Sequence, residues 1–163
     1  MEDNSFRNKA AFGKRIEYYL IGKMLKEGLD VYIPMVDDDA IDAVVKRPDG
    51  HYVEIQIKAR SKDNLVGSAA RFAAIPHEPR KDYWFVFYSE TLDQMWILSS
   101  AEFLKEANTN KNGKNAGKHH LVLGGVRAGK DYPLEKYQKY MAVNFDRIKN
   151  EDPNLLFSIG LDV

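Results

Sequence analysis

Between 51 and 60 apolar and polar side chains alternate almost without a break. Val53, Ile55 and Ile57 fall on one side, and Tyr52, Glu54, Gln56 and Lys58 on the other. A period of two describes a strand with two unlike faces. Pro48, Asp49 and Gly50 stand just before it and form a turn: Pro presets φ, Asp bonds the local backbone, and Gly supplies a positive φ. The run 41–45 ahead of that turn is apolar apart from Asp42. The spacing predicts a β-hairpin.

The segment 5–27 repeats differently. Phe12, Ile16, Tyr19, Leu20, Met24 and Leu25 recur at steps of three and four, which predicts a helix with one apolar stripe. Asn4 or Ser5 would cap it, and Gly28 would stop it. A short strand follows at 29–34, with Pro34 marking an end or an edge. Further on, 71–75 reads as a short strand, 82–88 as a buried strand, and 94–98 as its partner across a turn. Ser99 and Glu102 have the spacing of a capping box, opening a short helix to about residue 107. Residues 120–123 suggest one more strand. Leu134, Tyr137, Met141 and Phe145 suggest a closing helix over 133–149. The order predicts an α/β fold, a single domain over 1–163 with a central mixed β-sheet flanked by helices.

Composition narrows the chemistry. The chain has 163 residues and no cysteine, so disulfides, thiolate zinc sites and cysteine nucleophiles are excluded. The opening residues are acidic and polar, unlike a secretory leader, and no apolar run is long enough to span a bilayer. The expectation is a cytoplasmic protein with no membrane partner. Lys and Arg number 24, matched by 24 Asp and Glu. A strong non-specific nucleic-acid binder usually shows a basic excess, yet acidic metal ligands and a basic surround can cancel in the sum, so distribution counts for more.

The hairpin carries the candidate chemistry. Asp42 begins one strand, and Gln56 and Lys58 share a face of the other, with Glu54 one step along the same row. A carboxylate, a second oxygen donor and a lysine suit metal-assisted phosphodiester hydrolysis. Mg²⁺ takes oxygen ligands and lowers the pKa of bound water, and a lysine can stabilise charge on the phosphate. Lys46, Arg47, Arg60 and Lys62 near the hairpin, and Lys111, Lys114 and Lys118 in an acid-free segment, are candidate phosphate contacts.

These elements together resemble a known superfamily. Gly13 to Glu17 on a helix, then the 28–34 strand, then Asp42 within 41–45, then Glu54, Gln56 and Lys58 on one strand face resemble the core of the PD-(D/E)XK nucleases, the restriction-endonuclease-like group. The resemblance covers about 10–60. It implies a nuclease acting on nucleic acid, most naturally DNA, with Glu17, Asp42, Gln56 and Lys58 as catalytic residues. It further implies Mg²⁺ (Mn²⁺ substituting) held by Asp42, Gln56, Glu54 and Glu17. A homodimer is compatible, because two sites can cut two strands. Gln56 departs from the pattern: an acid is usual there, and an amide brings no charge.

Duller readings stand beside these. The Glu54, Gln56 and Lys58 row fits the wet face of a sheet, and Glu17 a solvated helix charge. The fold could also serve as an inactive nucleic-acid- or protein-binding module. Asp37, Asp38 and Asp39 read as a solvated loop. Adjacent His119 and His120 on a strand point to opposite faces and make a poor shared metal site. Gly124, Gly129 and Lys130 match the spacing of a phosphate-binding loop. Asp131 stands where Ser or Thr should follow, and Pro133 denies a helix start, so a basic turn is the better reading.

Overall fold

A computed structural model describes residues 9–36 and 38–160, with side chains from residue 11. The first helix, α1, spans Lys9–Lys26. The proposed caps Asn4 and Ser5 lie outside the described residues. The helix ends in paired backbone bonds, Leu29 N–H to the Met24 carbonyl and Gly28 N–H to the Leu25 carbonyl, both 3.0 Å. That pattern needs a left-handed residue at its centre, and Gly28 supplies φ 81°.

Strands β1 (Asp30–Tyr32), β2 (Ala43–Lys46) and β3 (Tyr52–Arg60) follow. The predicted hairpin is β2 and β3, antiparallel, with Ala43 opposite Ile55 and Lys46 opposite Tyr52. Its turn is held by Asp49 Oδ1, which accepts from His51 N–H at 3.0 Å. Next come β4 (Arg71–Ile75), β5 (Tyr83–Ser89), β6 (Gln94–Ser99) and helix α2 (Ser100–Glu106). The expected capping box is present in full: Glu102 N–H donates to Ser99 Oγ, and Ser99 N–H to Glu102 Oε2.

The principal sheet runs β1-β2-β3-β5-β6-β11, where β11 is Met141–Ala142. Strands β3 and β5 are parallel and every other pair is antiparallel, so the sheet is mixed. All of β5 is buried, and its side chains divide between two cores. Trp84 and Val86 join Val53, Ile55 and Ile57 beneath Leu20, Ile21 and Met24 of α1. Tyr83, Phe85 and Phe87 join Phe72, Leu121 and Phe103 on the opposite face. That second face is covered by α2 and by a small sheet ordered β4-β8-β7, with β7 at Asn108–Thr109 and β8 at His119–Val122. The crossover joining parallel β3 to β5 therefore passes through a strand, β4, where a helix is usual.

The C-terminal helix expected over 133–149 does not form. The chain instead makes a hairpin, β9 (Gly124–Arg127) with β10 (Lys130–Pro133), then a 3₁₀ helix Glu135–Tyr140, then β11, then α3 (Asp146–Asn150). Leu134, Tyr137 and Tyr140 repeat every three residues, the 3₁₀ period, and both tyrosines are buried. Met141 then pairs with Trp96 at the sheet edge. A last turn, α4, covers Leu155–Ser158. The glycine-rich 124–130 segment is the β9–β10 hairpin and not a phosphate-binding loop. No described helix is long and apolar enough to cross a membrane.

Candidate active site

The hairpin seam sets the geometry. Continuing the β2–β3 register by two residues past Ala43 and Ile55 would oppose Ile41 to Ile57. Strand β2 stops short, and the Asp42 side chain takes the vacated ladder position: Asp42 Oδ2 accepts from Ile57 N–H at 2.6 Å. Asp42 N–H donates to the Ile55 carbonyl at 2.8 Å. Its carboxylate thus rests on the β3 backbone at the residue between Gln56 and Lys58. One residue past Ala43 and Ile55 the same register would set Asp42 opposite Gln56, and cross-strand partners share a face.

Gln56 is buried, 7% exposed, and its Oε1 lies 3.2 Å from the Tyr83 hydroxyl. Tyr83 donates to the Ala40 carbonyl at 2.6 Å. Arg80 stacks on the Tyr83 ring with its guanidinium 4.8 Å from the centroid. It also donates to the Asp39 carbonyl at 2.8 Å and pairs with Glu54 Oε2 at 2.7 Å. Tyr83 and Arg80 thereby tie the acidic 38–40 loop to the hairpin. Neither stood out in the sequence: Tyr83 looked like one more core aromatic, and Arg80 lay in a featureless connection.

Glu17 arrives from α1. It is ion-paired with Lys14 one turn earlier. That hydrogen bond raises the Lys14 pKa, and the Glu17 and Asp42 charges raise it further. Lys14 therefore sits in the electrostatic field of both acids, at the Asp42 end of the hairpin. Lys58 is half-buried on the Gln56 row, opposite Phe87. The row is no solvated sheet face: Gln56 and Arg60 are buried, and Glu54 and Lys58 are half-buried.

Other expected residues are placed elsewhere. Glu54 is engaged by Arg80. Arg47 is buried and donates to the Glu151 carbonyl at 2.5 Å. Arg60 is buried and donates to the Val66 carbonyl, and burial lowers its pKa. Both arginines anchor loops, because a buried guanidinium needs carbonyl partners, and neither offers its head group to a phosphate. Lys46, Lys62, Lys111 and Lys114 are exposed, and Lys118 is half-buried. Asp37 lies outside the described residues, and Asp38 and Asp39 are exposed. His119 Nε2 contacts the His77 carbonyl, and His120 Nδ1 contacts Asn110 Oδ1, so the two histidines diverge. Among the described residues no group of three or more His, Asp or Glu is arranged to hold a metal.

No protein-family model matches the chain, and no curated protein matches it. A solved structure that is similar is that of a bacterial homing endonuclease, I-Ssp6803I. The TM-score is 0.56 at 18% identity, covering 83% of this chain and 89% of that one. The likeness is one of fold, a mixed α/β sheet domain of the kind a nuclease also uses.

Proposed function

We propose that the protein is a metal-dependent nuclease that hydrolyses phosphodiester bonds in DNA. The observation that carries this reading is the Asp42 carboxylate lying on the Ile57 amide, between the amide and the lysine of one strand row. The structural neighbour, itself a homing endonuclease, supports the same class of chemistry.

The donor set fits Mg²⁺. That ion keeps several waters and takes one or two carboxylates, so three clustered acids are not required. Asp42 and Gln56 would hold it, with Glu17 reaching in from α1 once released from Lys14. The ion would polarise the phosphoryl group and supply hydroxide at neutral pH. Tyr83 has a single hydroxyl proton, committed at the shorter distance to Ala40. An amide NH₂ then best complements the Tyr83 oxygen, and flipping the Gln56 amide to supply it would free Oε1 from Tyr83 for an ion beside Asp42. Lys58 orients the attacking water and steadies charge on the scissile phosphate. Glu54, held by Arg80, serves the frame of the site.

The second reading is a binding module on the same fold without catalysis. It is favoured by the neutral Gln56 and by the lack of a three-acid cluster among the described residues. Cleavage of supercoiled plasmid DNA in Mg²⁺ separates the two. The nuclease reading expects nicking or linearisation that EDTA stops and that Lys58→Ala slows by about 100-fold or more. Intact plasmid with the wild-type protein, or equal cutting by Lys58→Ala, overturns it.

A further inference from the structure

The outer face of the small sheet carries a cleft that the proposed cleavage chemistry does not use. Its cavity of about 360 Å³ is lined by Arg71, Asn110, Asn112, Lys114, Asn115 and His120, with small alanines and a glycine filling the rest. Phe72 and Ile75 of β4 and Leu121 of β8 point inward to the core. Arg71 and His120, at alternating positions, face outward. The Asn110 backbone is fixed by Gly117 N–H donating to its carbonyl at 2.9 Å and by its own N–H donating to the Lys118 carbonyl at 2.8 Å. Its side chain meets His120 Nδ1 at 2.9 Å. The amides are held in a formed loop.

Charge singles out the same segment. Residues 107–130 contain five lysines and arginines and no carboxylate; in a chain of zero net charge the rest carries five excess negative charges. The β9–β10 hairpin continues directly from β8, with exposed Arg127 and Lys130 flanking its tip. It is tied to the start of β4 by Asp131 Oδ1, which accepts from Ala69 N–H at 2.7 Å. The exposed basic groups Arg71 on β4, Lys111 and Lys114 ahead of β8, and Arg127 and Lys130 on the hairpin thus belong to connected parts of the fold.

We infer that this cleft and hairpin form a binding surface for duplex DNA flanking the cleavage point, resting on the nuclease reading for the site beside it. Lysines and arginines meet phosphates, while asparagine and histidine offer mixed donors and acceptors of the kind that read base edges. The cleft lining has no Phe, Tyr or Trp, and the hairpin's Tyr132 rests its ring on Gly125, so the surface presents no row of aromatic platforms for stacked single-stranded bases. A two-stranded ribbon fits the major groove of B-form DNA, whereas the A-form groove of RNA is too narrow and deep.

Fluorescence anisotropy with a labelled duplex, in EDTA so that nothing is cut, tests the inference with the full chain. Lys111→Glu/Lys114→Glu is expected to weaken duplex binding by about tenfold or more and to flatten the salt dependence by roughly two released counterions. Both lysines are exposed, and circular dichroism verifies that the fold is kept. Lys26→Glu/Lys149→Glu makes the same change in net charge on α1 and α3, which pack on the other face of the principal sheet. It is expected to leave binding within about twofold. Equal losses in the two double variants, undiminished binding by the first, or preference for single strands or RNA overturns the inference. Lys58-dependent cutting alongside undiminished binding would remove this surface and spare the nuclease. Lost binding in a protein that never cuts would do the reverse.

Discussion

In the proposed nuclease site, Gln56 would put a neutral amide where a second carboxylate would otherwise meet a divalent ion. The amide is buried and set against Tyr83, whose proton is held by Ala40. Tyr83→Phe keeps the ring and removes the hydroxyl. It is expected to lower metal affinity and cleavage by about tenfold, read by Mn²⁺ titration and plasmid nicking; unchanged titration would remove Tyr83 from the site. Gln56→Glu adds an anion opposite Asp42. Like charges at close range destabilise the metal-free protein, so a lower melting temperature in EDTA and a larger rise on adding Mg²⁺ are expected. A variant whose melting temperature ignores Mg²⁺ would contradict the placement of the ion. That Asp42, Gln56 and Lys58 come together on one hairpin was legible from alternation and turn chemistry. Tyr83 and Arg80 were not, because their roles depend on a parallel pairing and a loop whose positions no local pattern encodes.

His77 is a residue-scale case that bears on stability. Its Nε2 meets Ser100 Oγ at 2.7 Å, and its ring packs on Tyr83, Phe85 and Phe103. Burial, with His119 and Arg80 nearby, lowers its pKa to about 4. The unfolded chain therefore takes up this proton first as pH falls. The contribution of neutral His77 is full above about pH 6.5 and declines toward pH 4. Denaturant melts of wild type and His77→Gln should show a stability gap at pH 7.5 that narrows at pH 4.5; a gap independent of pH would refute it.

Elements with a local signature were read correctly, and those built by distant partners were not. The β2–β3 hairpin and the Ser99–Glu102 capping box are encoded within a few residues. Ser99→Ala should cost about 1 kcal/mol in chemical denaturation, with Arg147 still holding Glu102 at 2.9 Å; no loss would mean that the cap is redundant. The C-terminal stripe was grouped by steps of three and four, but Leu134, Tyr137 and Tyr140 step by three alone, and the pairing of Met141 with Trp96 overrides any helical tendency. The small sheet escaped notice for a similar reason. Its β4 and β8 segments looked like isolated strands, and only the folded chain sets Phe72 opposite Leu121.

At the scale of the whole molecule, one buried strand divides two cores. β5 sends Trp84 and Val86 to the α1 side and Phe85 and Phe87 to the small-sheet side. The candidate site lies at the seam beside this wall, with Lys14 and Glu17 of α1 toward the open end of the hairpin, the same end from which β3 leads on to β4. Even overall charge conceals an uneven distribution along this path. The proposed cleavage chemistry requires Asp42, Gln56 and Lys58 to share a single ion-centred pocket. Anomalous diffraction from crystals soaked in Mn²⁺ tests that most directly. A peak bonded to carboxylate oxygen of Asp42 and amide oxygen of Gln56, with Lys58 Nζ in hydrogen-bond reach of a metal-bound water, is the predicted result. Manganese bound only at the acidic 38–39 loop, or bound nowhere in the crystal, would contradict it.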